Sequence, residues 1–155
     1  MKRMHIHIGV DNIEHSIRFY NALFDSQPVK VKQDYAKWLL EDPKVNFAIS
    51  TRSAKKGVDH LGLQVDDSVE LEQMRSRLQQ ADMTMFDQGD TVCCYARSDK
   101  SWLEDPSGIA WEAYHTMEDA ELYSPQDSAS ACCTPETKGQ PNCCAPSEQT
   151  KGCCG

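Results

Sequence analysis

Strict alternation of apolar and polar positions opens the chain. Over 4–10, Ile6, Ile8 and Val10 point one way while His5, His7 and Gly9 point the other, which predicts a half-buried β-strand. The period then becomes helical: Asn12 is a capping residue, and Ile13, Ile17, Tyr20 and Phe24 fall on one face. Short strands are predicted near 29–32, 36–40 and 46–50. The same order then returns, with a strand over 58–65, a helix over 68–81 that offers Val69, Leu71, Met74 and Leu78 for packing, and strands near 84–88, 91–97 and 109–115.

The return is a repeat. With His5 laid on His60, an offset of 55 positions, HIHIGVDNIEHSIRFYNAL (5–23) faces HLGLQVDDSVELEQMRSRL (60–78), and Val10/Val65, Asp11/Asp66 and Leu23/Leu78 coincide. The tetrapeptide LEDP at 40–43 recurs at 103–106, each time before a strand-like run. Duplication of one supersecondary unit accounts for both echoes. We therefore expect an α+β domain over 1–117 made of two tandem βαβββ modules, about 1–52 and 57–117.

Composition changes the picture only beyond that domain. The chain has 155 residues, and Lys plus Arg number 16 against 24 Asp plus Glu, a formal charge of -8. That balance speaks against nucleic acid and anionic membrane as partners. No window approaches the ~18 apolar residues of a membrane span, and the N-terminus lacks a signal-peptide core, so a cytoplasmic protein is expected. From 118 to 155 the sequence is rich in Ser, Thr, Pro, Gly, Gln and Glu, and it reads as a flexible acidic tail.

All 8 cysteines stand in adjacent pairs: Cys93-Cys94 in the domain, and Cys132-Cys133, Cys143-Cys144 and Cys153-Cys154 in the tail. Neighbouring Cα atoms lie ~3.8 Å apart, short of the ~4.4 to 6.8 Å of a disulfide, so a disulfide framework is disfavoured. Reduced vicinal dithiols in a reducing compartment are expected, with pairing between different couples left open.

The strands also present candidate chemistry. His5 and His60 occupy equivalent repeat positions, and Glu112 emerges from a strand whose other face carries Ile109, Trp111 and Ala113. Two imidazoles and one carboxylate on one surface form a facial ligand set with open positions, suited to Fe(II) in oxygen chemistry, with Zn, Mn and Ni still open. Each of the three taken alone is equally compatible with an ordinary polar strand residue. His7 shares the parity of His5 and is open to three roles: ligand, support for a ligand, or surface residue.

These residues resemble a known family. His5 five residues before Val10, the SIRFY helix (16–20), His60 within GVDHLGLQV (57–65) and Glu112 within DPSGIAWE (105–112) look like the vicinal oxygen chelate superfamily of glyoxalases, extradiol dioxygenases and antibiotic-binding resistance proteins. The resemblance implies metal ligation by His5, His60 and Glu112. It also places the superfamily's usual fourth ligand near Ala48 or Ile49, where an apolar residue matches a three-ligand, dioxygenase-type pattern. More narrowly, YAKWLLEDPKVNFAIS (35–50) and TVCCYARSDKSW (91–102) resemble the ArsI carbon-arsenic lyases and the CadI cadmium-induced proteins. In that family the first ligand position varies between His and Gln, and the tail varies in length and cysteine content.

That narrower resemblance implies an Fe(II)- and O2-dependent cleavage of trivalent organoarsenicals such as methylarsenite, with Cys93 and Cys94 holding the soft arsenic centre as thiolates. Joint capture needs a loop or bulge around 89–95, because a regular strand sends adjacent side chains to opposite faces, and Gly89 makes such an irregularity feasible. Lys100, His7 and Tyr95 are lesser catalytic candidates. Cys132, Cys133, Cys143, Cys144, Cys153 and Cys154 are candidates for metalloid capture in the tail. Two rivals stand beside this reading: a non-enzymatic thiol protein that sequesters cadmium or arsenic, and a glyoxalase-like enzyme using another metal. Two fused modules can complete a site within one chain, and a homodimer is also open to this architecture.

Overall fold

The computed structural model describes residues 2–121. Its elements run β1 (Arg3–Gly9), α1 (Ile13–Phe24), β2 (Lys30–Lys32), β3 (Tyr35–Glu41), β4 (Lys44–Ser50), β5 (Gly57–Val65), α2 (Ser68–Gln80), β6 (Phe86–Cys93), β7 (Ala96–Glu104) and β8 (Ala110–Asp119). This is βαβββ twice, as the repeat predicts. The strands form one sheet in the order β2-β3-β4-β1-β5-β8-β7-β6. Each module builds its half alike: β1 is parallel to β4 as β5 is parallel to β8, and the remaining neighbours are antiparallel. The halves meet where β1 pairs antiparallel with β5, on a local pseudo-twofold.

Both helices start on the residues their sequences offer. The Asn12 side chain accepts from the His15 N–H at 2.9 Å, and Asp67 accepts from the Glu70 N–H at 2.8 Å, each supplying an acceptor to a helical N–H that has no partner within the helix. Helix α1 lays Ile13, Ile17, Tyr20 and Phe24 on Ile6, Ile8, Trp38, Phe47 and Ile49. Helix α2 packs Leu71, Met74 and Leu78 on Leu63, Val65 and Ala113. Val69 does not join them. It is exposed, because it falls outside the face shared by positions 71, 74 and 78.

The second module departs from the expected strands between 84 and 104. One strand, β6, replaces the two predicted near 84–88 and 91–97, its register slipping between Asp87 and Gly89 where Gly89 adopts a φ of 68°. The chain then turns at Cys94-Tyr95 and returns as β7, which carries no apolar alternation to announce it. Its interior positions Ser98, Lys100 and Ser101 are polar and buried. Strand β8 also runs on to Asp119, past the compositional break at 117, and the Lys30 Nζ lies 2.6 Å from Asp119 Oδ1.

Candidate metal and thiol site

With the helices on one face of the sheet, the opposite face gathers the polar strand positions. His5, His7, Asn46, His60, Lys100 and Glu112 are all buried there. His5 Nε2 lies 3.2 Å from His60 Nε2 and 3.2 Å from Glu112 Oε1, and His60 Nε2 lies 3.6 Å from the same carboxylate oxygen. Donors around an ion with bonds of ~2.1 Å stand ~3.0 to 3.4 Å apart, so this triangle has the dimensions of one face of a coordination sphere. The residues predicted as ligands are brought together.

Their partners fix how they point. His5 Nδ1 lies 3.0 Å from the Asn46 carbonyl oxygen, and His60 Nδ1 lies 2.8 Å from Asp59 Oδ2. A backbone carbonyl and a carboxylate serve as acceptors here, so both imidazoles donate from Nδ1 and turn an Nε2 lone pair inward. Two facing lone pairs and a carboxylate make a pocket that calls for a cation, which is the observation by which these residues fit a metal ion. Lys100 Nζ donates to Glu112 Oε2 at 3.1 Å, holding the distal oxygen and leaving Oε1 to the donor triangle.

The electrostatics agree. Burial pushes the His5 imidazole down to about 4, although Glu112 opposes the shift, so the ring is neutral and able to ligate at neutral pH. Burial also acts to lower His60, but the carboxylates of Asp59 and Glu112 outweigh it and the net shift is upward, so this corner attracts positive charge. Burial would raise Glu112. Lys100 foremost, with His60 and His5, instead holds it well below the usual carboxylate range.

Cys93, at the end of β6, and Cys94 sit on the β6–β7 hairpin, with sulfurs 3.3 Å apart. The turn solves the alternation problem: Cys93 pairs with Ala96, and Cys94 and Tyr95 between them both take left-handed φ values of 56° and 60°. A two-residue turn of this hand ordinarily selects Asn or Gly, so the backbone here is strained in bringing Cys94 round beside Cys93. Gly89 contributes a bulge farther down the hairpin and is not what joins the pair. Cys93 is disulfide-bonded, so at this residue the pairing left open beside the reduced dithiols is the one found. A dithiol at this turn therefore requires reduction of Cys93.

A cavity of about 30 Å³ is lined by His5, Lys100, Glu112, Tyr114, Cys93 and Cys94 among others, so ligands and sulfurs face one space. Tyr95 is not brought to the donors. Its phenol donates to Asp34 at 2.5 Å and its ring packs on Tyr35. The six tail cysteines lie outside the described residues.

Residues that the sequence did not single out support the site. Asn46 holds His5 through its carbonyl, and its side-chain amide donates to Tyr114 Oη at 2.7 Å and to Gln64 Oε1 at 2.9 Å. Gly62 pairs with both His5 and Glu112, and a Cβ there would stand 2.7 Å from Glu112 Cγ, so the bare glycine lets the glutamate lean across. A signal existed for two of them: Asp59 directly precedes His60, and Tyr114 has the parity of Glu112 on β8.

The duplicated sheet and its facing ligand set define a class of protein. The chain belongs to the glyoxalase/bleomycin resistance protein/dioxygenase superfamily, whose profile matches residues 2–113. Within it the chain is 39% identical over 162 residues to the trivalent organoarsenical cleaving enzyme of Bacillus sp. strain MD1, covering 99% of both chains. It is 35% identical over 141 residues to the enzyme of that name from Thermomonospora curvata, covering 90% of this chain and 93% of that one. It is also 31% identical over 142 residues to the cadmium-induced protein CadI of Mycobacterium bovis, covering 86% and 93%. Among solved structures, a superfamily member from Vibrio splendidus superposes with a TM-score of 0.50 at 14% identity, covering 76% of this chain and 100% of that one, a likeness of fold alone.

Proposed function

We propose that this chain cleaves trivalent organoarsenicals such as methylarsenite to arsenite, using Fe(II) held by His5, His60 and Glu112 and O2 as co-substrate. The observation that carries the reading is the shared cavity, which His5 and Glu112 of the donor triangle line together with the cysteine pair. The names of the organoarsenical-cleaving relatives support the substrate class.

The residues divide the work. Once Cys93 is reduced, the two thiols displace hydroxyls from As(III) as water, and the hairpin holds the carbon-arsenic bond against the donor triangle. When bound, the metal supplies the capacity to activate dioxygen at positions the protein leaves open. Asn46 and Asp59 keep both imidazoles in the ligating tautomer. Lys100 places a buried ammonium 3.1 Å from Glu112, where it offsets carboxylate charge and offers a donor to an oxygen anion in the cavity.

Anaerobic Fe(II) loading of reduced protein, followed by methylarsenite with and without O2, tests this by arsenic speciation. Wild type is expected to release arsenite only with both iron and oxygen, and Glu112→Ala and Cys93→Ser are each expected to lose at least a hundredfold in turnover. Tight arsenical binding without arsenite release, indifferent to Glu112→Ala, would make the chain a thiol-sequestering protein instead. That second reading draws on the CadI relative. Deleting residues 122–155 separates capture by the tail from chemistry in the domain.

A further inference from the structure

Among the described residues, the His7 imidazole is buried with neither ring nitrogen hydrogen-bonded. Such a group carries an unmet cost of roughly 1–3 kcal/mol in a protein interior. Its surroundings are the metal site: a ring nitrogen of His7 lies within 4.8 Å of those of His5 and His60, and its ring centroid is 4.7 Å from that of His60. Donors opposite one another across an ion stand ~4.2 Å apart, so His7 is within reach of the same centre.

The pseudo-twofold explains why a histidine stands there. In the second module, Glu112 on β8 pairs with Gly62 on β5, two residues after His60. The first module's equivalent pair is Ala48 on β4 with His7 on β1, two residues after His5. Small and ligating residues have exchanged strands: where the second module has glycine on the first strand and a carboxylate on the last, the first module has histidine on the first strand and alanine on the last. The donor missing at Ala48 is present one strand over.

We infer that His7 is a fourth protein ligand of the metal centre, supplied by β1 in place of a carboxylate from β4. The inference rests on the metal centre proposed above. It makes the site three imidazoles and one carboxylate, closing one position that a three-ligand set leaves open to exogenous ligands.

Anaerobic Fe(II) titration and X-ray absorption on the reduced full-length protein test it. Wild type should show three imidazole shells. His7→Leu, which conserves buried volume, should show two and bind Fe(II) at least tenfold more weakly while keeping its circular dichroism. His7→Gly/Ala48→Glu, which gives the first module the arrangement of the second, should exchange the imidazole for a carboxylate and recover affinity to within tenfold of wild type. Two imidazoles in wild type, or unchanged Fe(II) affinity in His7→Leu where Glu112→Ala loses it, would overturn the assignment of His7 alone. Unchanged affinity in both His5→Ala and Glu112→Ala would overturn the metal centre and the inference with it.

Discussion

Lys100 and Glu112 are the most exacting pair at the residue scale. Each is buried, and each meets its opposite charge at 3.1 Å. Breaking a buried pair by removing one partner costs about 3–5 kcal/mol, because the remaining charge is stranded. A divalent ion at Oε1 would compensate the same carboxylate from its other side. Lys100→Met is therefore expected to lose about 3 kcal/mol in the metal-free state, and to gain more than wild type does when Fe(II) or Zn(II) is added. Denaturant titrations with and without metal measure both, and equal metal-induced gains would show that Lys100 and the ion do not share Glu112. At this scale parity and repeat position made His5, His60 and Glu112 candidates, and the family resemblance made them proposed ligands. Lys100 was visible only as an isolated cation, since its burial depends on a strand that its own polarity concealed.

Elements decide how firmly those residues are presented. Strand β8, which carries Glu112, is entered through a turn that Asp105 organises by accepting from the N–H groups of Ser107 at 2.8 Å and Ile109 at 3.0 Å, and from Trp111 Nε1 at 3.2 Å. The Ile109 N–H foremost, with Trp111 and Ser107, holds the Asp105 carboxyl below its ordinary 3.8. A carboxyl lowered on folding contributes stability that is present above the unfolded value and lost as pH falls through the folded one. Asp105→Asn should thus flatten the decline of stability below about pH 4 and leave its slope near neutrality unchanged, as read from urea midpoints across pH 2.5–7. An acid limb as steep as wild type would remove Asp105 from the acid response. The helices and six of the eight strands were legible, because periods of 3.6 and 2 survive wherever one face is apolar. Strand β7 was not, because Ser98 and Lys100 turn polar groups into the site and Ser101 turns a hydroxyl to Arg75 of α2, where alternation would place apolar side chains. The irregularity expected around 89–95 is there, as a bulge at Gly89 and a strained turn at Cys94-Tyr95 that makes the break between β6 and β7.

Across the whole molecule, the proposed metal centre spans the seam of the duplication. His5 comes from the first module, and His60 and Glu112 come from the second. An ion held there ties the modules together and stabilises only the folded chain, by about 2.7 kcal/mol at a hundredfold excess over Kd. For a domain of this size that corresponds to a rise of roughly 5–10 °C in Tm. Wild type should show the rise by calorimetry under anaerobic Fe(II), chelator should reverse it, and Glu112→Ala should lack it. A similar rise in Glu112→Ala would place the stabilising ion elsewhere.

The amino-acid order alone determined the duplicated βαβββ plan, the helix caps and the polar face of the central strands, and it set His5, His60 and Glu112 as candidates on that face. These are local periodicities and repeat positions, which need no knowledge of what lies across the sheet. Only the tertiary structure decided that Gly62 clears the path for Glu112, that Asn46 and Asp59 set the imidazole tautomers, that Lys100 is buried against the carboxylate, and that Ala48 pairs with His7 as Glu112 pairs with Gly62 in the other half. Those facts depend on register between strands far apart in sequence, where one residue of slip would send every side chain to the opposite face.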